Sequence, residues 1–582
     1  MAQTLRKCPK LADAYRATCD RKGSSPDRPW GLIIAFDEFT PGDQLRPDNR
    51  RKTMNVQANF IDLGMNMLRH EHTWFTFAVA RHPIIASVVG GWSKMLSVLL
   101  ESLFVGPRSI ARAGIPLDIG DGYVLYAKLV NILSDMDGHK QAFDLKGAAG
   151  IRPCVKCSNI VATGSDLVGP AIHEIGCTDP AAFIETTRFD LDVGLEALRL
   201  AQARVAAKTM PKYQYEFLEK TFGLFYNPHG LLLNIALRRF VDLPDVITFD
   251  WMHCALADGS FSVDIWLLLK NCRAKLGMDW SDFDRIISAD WHFPATKRVK
   301  AKSLGKLFSD VRCNSCDNAD RLKFSASEII TMYSILRHFV ELHLVSRAEV
   351  QEEVSAFRSA CAVIDLILQA KASGVTAADL PARLLAAVCH NLQLVIATYG
   401  SDWLKPKHHY MMHIAYQIAR DACVLDAFVL ERSHLVVKMI ANNLKKLAGF
   451  ESSLLAVCQL HQESHLQTLE LQDGLRGTQE YYALWGCDVA TVMEHGGLRI
   501  TAGDVVTTAS GAGFVRGCLK VGDDLQLLIS PMTFSRRLTP FSREWRCPLQ
   551  AAQDVRWRAD AVVKPMPVCW YRERDIVVVL DM

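Results

Sequence analysis

Three early stretches of the chain are rich in β-branched and aromatic residues and are bounded by Gly, Asn, Asp or His. They are residues 31–39 (GLIIAFDEF), 54–63 (MNVQANFIDL) and 73–80 (TWFTFAVA), and the pattern predicts strands. At 90–105 (GGWSKMLSVLLESLFV) the apolar spacing becomes helical, with Trp92, Met95, Leu99 and Leu103 on one face. GYVLYAKLVNILSD (122–135) predicts a fourth strand ending in Asp135, and the following DGHKQAFDLKG a short helix closed by Gly147. DVITFD (245–250) is a short apolar run that again ends in an acid and predicts a fifth strand.

The order β-β-β-α-β-α, with acids ending the first and fourth strands, is the layout of an RNase H-like domain. The expected fold class is therefore α/β (α+β): an RNase H-like mixed sheet, a large helical insertion and a small C-terminal all-β domain. Residues 1–29 read as a polar tail with one short helix. Residues 30–253 form the core, with a Cys-x-x-Cys loop. Residues 254–425 are helical in pattern, 426–486 hold the helix LERSHLVVKMIANNLKK and further helices, and 487–582 alternate short β-like runs with Gly and Asp turns.

Length and composition narrow this only slightly. A chain of 582 residues exceeds one core and predicts two to four domains. A net charge of +3 argues neither for nor against a nucleic-acid partner. The 17 cysteines, spread along a long chain whose N-terminus has no apolar signal segment, read as reduced intracellular thiols. The most apolar stretches are broken by Arg, His, Pro and Gly, so no membrane span is expected.

Several residue groups could carry chemistry. Asp37 and Asp135 end strands expected to be neighbours. Carboxylates held close together repel and call for a cation, and oxygen ligands favour Mg²⁺ or Mn²⁺. A strand-end Asp also often just caps the next turn. Glu431, His434 and Lys438 share one helical face at i, i+3 and i+7, the pattern of a metal ligand beside phosphate-binding groups or of an ordinary solvated face. Asp250 and His253 in DWMHC could reach the same edge, or be a helix cap with a satisfied histidine.

The Cys-x-x-Cys of Cys154 and Cys157 has the spacing of half a zinc site, which His253 or His173 could extend, or of a reduced thiol pair in a turn. Cys313 and Cys316 form a second pair far along the chain. His408, His409 and His413 in KPKHHYMMH are further candidate ligands. Basic segments at Arg50, Arg51 and Lys52, at Lys297, Arg298 and Lys300, and at Lys445 and Lys446 are compatible with a phosphate-binding groove or with solvated loops.

The run DE-x-TPG at 37–42, then DLKGAAGIRPCVKC at 144–157, FDWMHCALADG at 249–259, KPKHHYMMH and ERSHLVVK together resemble the transposases of CACTA (En/Spm-type) and related eukaryotic DNA transposons. The resemblance covers roughly residues 30–450. It implies an RNase H-like DDE/D catalytic domain, with a helical insertion before the last acid. Asp37, Asp135 and Glu431 would be the acids holding two Mg²⁺ or Mn²⁺ ions, and Asp137 competes with Asp135. Glu38, Asp250, His253, His434 and Lys438 would be accessory, and Cys154 and Cys157 would hold a structural Zn²⁺. It further implies DNA partners (transposon ends and target), self-association, and nuclear localisation after cytosolic synthesis. Only about thirty residues precede the first acid, whereas the family carries a DNA-binding region there. Two other readings stay open: a domesticated or inactive transposase-derived DNA-binding protein, and a non-enzymatic helical interaction protein.

Overall fold

The computed structural model describes residues 2–42, 47–120, 122–287, 291–292, 307–373, 377–467, 474–482, 487–495, 498–508, 511–546, 554–566, 568–571 and 576–580. They mix helix and strand and divide into two compact units. The first comprises 1–255, 366–396 and 400–471, and the second 256–365, 397–399 and 472–582. The predicted insertion at 254–425 is therefore not one body: its helices are shared between the units.

The first unit is built on a mixed sheet of β1 (Trp30–Phe39), β2 (Thr53–Phe60), β3 (Phe75–Arg81), β4 (Ala127–Ser134) and β5 (Ile247–Phe249). Their order across the sheet is β3-β2-β1-β4-β5. β1 pairs antiparallel with β2 and parallel with β4, and β4 pairs parallel with β5. β1 is central and covered on both faces, which is why it is an unbroken apolar run rather than an alternating one.

The helices used below are α1 (Pro9–Lys22), α2 (Gly91–Phe104), α3 (Met136–Phe143), α4 (Pro406–Asp421), α5 (Phe428–Asn443) and α6 (Phe450–Gln467). α2 covers the face bearing Phe36, whose ring meets Trp92 edge-on at 5.4 Å. α5 and α6 cover the opposite face, where Phe39 packs with Val437, Ile440, Ala441, Phe450 and Leu454.

The first 29 residues are not a polar tail. A helix Ala2–Lys7 and α1 bury Leu5, Leu11 and Tyr15, and Tyr15 lies 5.9 Å from Trp30. The missed signal is Leu11, Tyr15, Thr18 and Cys19, which share one helical face.

α3 begins where expected but ends at Asp144, which takes the left-handed conformation at φ 52°, rather than at Gly147. Asp135 lies just beyond β4 and caps α3, accepting a hydrogen bond from the Gly138 amide at 2.6 Å. This turn has no room for a side chain at 138. A Cβ there would sit 1.9 Å from Ser134 Oγ, whose hydroxyl donates to the Phe36 carbonyl. Gly138→Ala is accordingly expected to cost about 1–3 kcal/mol by overpacking, read as a lower melting temperature. An unchanged melting temperature would show that the turn tolerates a side chain.

The second unit holds helices such as Ser260–Leu276 and Ala326–Phe339 together with the C-terminal strands. Among its described residues these strands form an eight-stranded and a five-stranded sheet. The all-β region begins at Gly474, before the predicted 487, and Trp291–His292 from the predicted helical insertion joins its five-stranded sheet. Among the described residues two helices, Met252–Leu276 and Leu380–Tyr399, are long and apolar enough to cross a membrane by length and composition. The first is 83% buried, as the core helix of a globular protein is.

Candidate functional site: an acid cluster beside a Cys–His quartet

Parallel pairing sets the two strand-end acids level. Ala35 of β1 is opposite Leu133 of β4, and Asp37 and Asp135 each lie two residues further on. Neighbouring strands run roughly 4.8 Å apart, so the backbone delivers two carboxylates side by side. α5 lies over this edge. His434 reaches the Asp37 carboxylate at 3.4 Å, and Glu431 opens the same helical face one turn earlier. Lys438 follows, half-buried.

Asp250 follows β5 directly and is almost completely buried. It accepts hydrogen bonds from the amides of Met252, His253 and Ala427, and meets His253 Nδ1 at 2.5 Å. It is thus both a cap and the group that orients His253. The far nitrogen of His253 stands 4.0 Å from Glu431.

These groups sense one another. Burial pushes the Asp37 carboxyl up, but His434, the Glu38 amide and the charge of His253 outweigh it and hold Asp37 below the usual carboxylate range. Asp135 is raised, by burial first and then by the charge of Asp37, against the Gly138 amide. Glu431 is raised by burial, with Asp250 and Asp37 adding and His253 opposing. Burial disfavours the charged form of His253, yet Asp250, Asp135 and Glu431 raise it to about 9. The result is three carboxylates around an imidazolium.

The other expected site residues divide. Asp137 points to solvent beside Lys140, so it does not compete with Asp135. Glu38 faces away from Asp37 along the strand and pairs with Lys52 at 2.6 Å and His82 at 3.4 Å. Lys52 is thereby engaged within the fold.

Arg51 is not a DNA-facing cation. It is buried, with Asp48 at 2.9 Å and the carbonyls of Ala441 and Leu444 at 2.7 and 3.0 Å. It ties β2's entry to the end of α5. Arg50 is exposed beside Asp48. Arg51→Ala is expected to lower stability by about 2–3 kcal/mol, because the carbonyls it serves lose their donor. The measurement that checks it is the melting temperature, and an unchanged value would show that these carbonyls do not depend on Arg51. Lys297, Arg298 and Lys300 lie outside the described residues.

The second centre is a quartet of Cys154, Cys157, His409 and His413, all buried, with ligand atoms within 4.8 Å of one another. His413 Nε2 lies 3.3 Å from Cys154 Sγ, 3.4 Å from Cys157 Sγ and 3.2 Å from His409 Nε2. Tetrahedral zinc with its usual bond lengths would place sulfur and nitrogen ligands roughly 3.5 Å apart and two nitrogens roughly 3.3 Å apart. The donor set and the spacing both fit, and the group could bind a metal such as zinc. Burial pushes the Cys154 thiol up, but the Cys157 thiol and the two imidazoles outweigh it and hold Cys154 below the usual thiol range, while Cys157 is pushed up.

Neither His253 nor His173 completes this site. His253 belongs to the acids, and His173 lies in a short strand, His173–Glu174. His408 instead accepts the Lys405 amide at Nδ1, 3.0 Å away. Cys313 and Cys316 sit on a helix of the second unit, Asp310–Ala319.

The two centres are coupled through α4. Its Gln417 accepts from the Phe249 amide and donates to the Phe249 carbonyl, both at 2.8 Å, bonding β5 one residue before Asp250. Tyr410 stacks on Phe249 at 4.5 Å and donates to the Pro153 carbonyl at 2.6 Å.

Among the described residues, only the Cys–His quartet brings three or more ligand atoms within 4.8 Å of one another; the acids stand wider. No protein-family model matches this chain, and a search of curated proteins finds no match.

Proposed function

We propose that the chain is a transposase-like protein of the CACTA-related kind, whose first unit is an RNase H-like domain that cuts and joins DNA strands. The observation that carries this reading is the placement of Asp37 and Asp135 at level positions on neighbouring parallel strands, with Glu431 presented over them by α5. The sheet order β3-β2-β1-β4-β5, with β2 running opposite to the other four strands, supports it.

The carboxylates suit hard divalent cations. Mg²⁺ or Mn²⁺ held by Asp37, Asp135 and Glu431 would supply charge neutralisation and an activated water or 3′-hydroxyl. The burial that raises Asp135 and Glu431 is the cost such cations would offset. The chain's own groups do the positioning. Asp250 fixes the His253 ring, His253 balances the surrounding carboxylates, and Asp37 is held at both oxygens, by His434 at one and by the Glu38 amide, 2.7 Å away, at the other. In this reading the Cys–His quartet carries structural zinc. It fastens the loop after the second acid to the helix that bonds β5.

A second reading, a transposase-derived protein that binds DNA without cutting it, is favoured by one observation. His434 sits against Asp37 at 3.4 Å, the charge of His253 already opposes those of Asp37 and Glu431, and the acids stand wider than the quartet does. Mg²⁺-dependent nicking of DNA carrying the element's terminal repeats separates the two. Nicking supports the enzyme, and DNA binding without nicking supports the second reading.

A further inference from the structure

Outside both centres, three histidines of the first unit lie ring against ring. His72 is in the turn Glu71–Thr73 that leads into β3, and His461 and His465 sit four residues apart on one face of α6. The His72 and His465 rings stack in parallel with centroids 4.3 Å apart. His465 lies 4.4 Å from His461, and His72 and His461 are 6.3 Å apart. The backbone beneath them is fixed. Gln462, buried and next to His461, donates to the carbonyls of His72 and Trp74 at 2.6 and 2.8 Å, so it ties the helix to the turn. Burial and then the charge of His465 hold His72 below the usual imidazole range against Glu71, and burial with His465 does the same for His461. That favours the neutral imidazole, the form that ligates a metal. Each ring needs one nitrogen for an ion and keeps the other for a partner in the fold.

Beside these rings is a cavity of ≈ 20 Å³, lined by His72, His461, Glu71 and Gln57 among others. That is room for one water or one ion. Gln57 is buried, and its Nε2 donates to Thr76 Oγ1 at 3.2 Å and Ser433 Oγ at 2.6 Å, whereas its Oε1 receives no hydrogen bond. A buried acceptor left over beside two imidazoles suits a water carried by a bound cation. Glu71 is committed to Arg432 at 2.7 Å, and Cys458 packs among the apolar residues of α5 and α6 with its thiol pushed up to about 12 by burial, so neither is counted as a ligand. We propose that His72, His461 and His465 form a second metal site, for a divalent transition ion such as Zn²⁺, distinct from the Cys–His quartet. Imidazole nitrogens suit zinc and its neighbours, whereas Mg²⁺ requires oxygen ligands. Ring centres around one tetrahedral ion stand roughly 5 Å apart. The observed spacings bracket that value, and the ligand atoms stand wider than those of the quartet. Closing the set asks the exposed His465 to turn out of its stack on His72. With an exposed ligand and no cysteine, the ion is exchangeable and is taken up only when zinc is supplied. It would pin α6 to the entry of β3, whatever the acids do.

The test counts zinc on the full chain by equilibrium dialysis against Zn²⁺ in the presence of excess Mg²⁺. Wild type is compared with His461→Gln, His465→Gln and His72→Gln, so the difference does not depend on what the quartet holds. The expected result is one exchangeable zinc in the wild type that each variant binds at least about tenfold more weakly. Added zinc should also raise the melting temperature of the wild type above that of the variants. Should His72→Gln fail to fold, His72→Phe keeps the stacked ring and removes the nitrogens. Equal zinc uptake by wild type and folded variants overturns the site. Loss in the two helix variants but not in the folded His72 variant also overturns it, in favour of a two-histidine chelate on α6 alone. Displacement of the exchangeable zinc by Mg²⁺ overturns the assignment to imidazole ligands.

Discussion

Removing metal from the Cys154–Cys157–His409–His413 quartet is expected to lower the melting temperature by at least about 10 °C. Metal analysis of the purified chain should find one zinc per molecule, and Cys157→Ser should reproduce the loss. The size follows from what the quartet joins. The cysteines are some 250 residues from the histidines along the chain, so a bound metal closes a very long loop. Structural zinc contributes binding energy directly to folding. A deficit of only about 4–5 kcal/mol would give that shift in a unit of this size. The converse also follows: without metal, two buried thiols and two close imidazoles remain with no cation between them.

The loss should travel to the acids, because α4 bonds both the zinc loop and β5. Tyr410 holds the Pro153 carbonyl, and Gln417 holds Phe249. Chelation should therefore also relax the Asp250–His253 pair, visible as faster amide exchange at Met252 and His253, whose N–H groups Asp250 accepts. A chain that purifies without zinc and melts unchanged in chelator would reduce the quartet to a packed thiol–imidazole cluster.

The parts of the fold legible in the sequence are those where one residue's environment decides its neighbours. β1 is apolar on both faces because it is central, and its run of Leu32 to Phe36 ending at Asp37 announces both the strand and the site. Glu431 and His434 were legible as a helical face, since i and i+3 spacing survives any packing. The quartet was only half legible. Cys-x-x-Cys and His409 with His413 each have ligand spacing, but nothing local says that the two halves meet. Tertiary proximity over 250 residues leaves no local trace.

Arg51 misled for a related reason. A run of Arg-Arg-Lys looks the same whether it faces phosphate or, as here, carries a guanidinium into the carbonyls at the end of α5. The N-terminal helices were obscured by their charged outer face, which lowers mean hydropathy while Leu11 and Tyr15 stay buried. Asp250 was the subtlest case. The expected cap and the expected link to the acids are both present, because one carboxylate can accept backbone amides and orient His253 at once.

Asp135→Asn is expected to abolish Mg²⁺-dependent nicking, by about a thousandfold or more, while the melting temperature holds or rises. A thousandfold corresponds to about 4 kcal/mol of transition-state stabilisation, a reasonable share for one of three acids that, in the proposed enzyme, would hold the cations. The stability side has the opposite sign. Burial and the neighbouring Asp37 raise Asp135, so its ionised form is strained where it stands. Asn keeps the acceptor for the Gly138 amide and is as good a helix cap, so α3 loses nothing while the repulsion between level carboxylates disappears. A carboxylate retained only as a cap would show the same stability result with no change in nicking. Asp37→Asn should match Asp135→Asn in activity but not in stability. Asp37 is held ionised by His434, and the substitution gives up that pair. Activity falling in both variants, with stability rising or holding in one and falling in the other, is the signature of a cation site assembled against repulsion. If nicking persists in Asp135→Asn, the acids are structural and the cutting activity lies elsewhere.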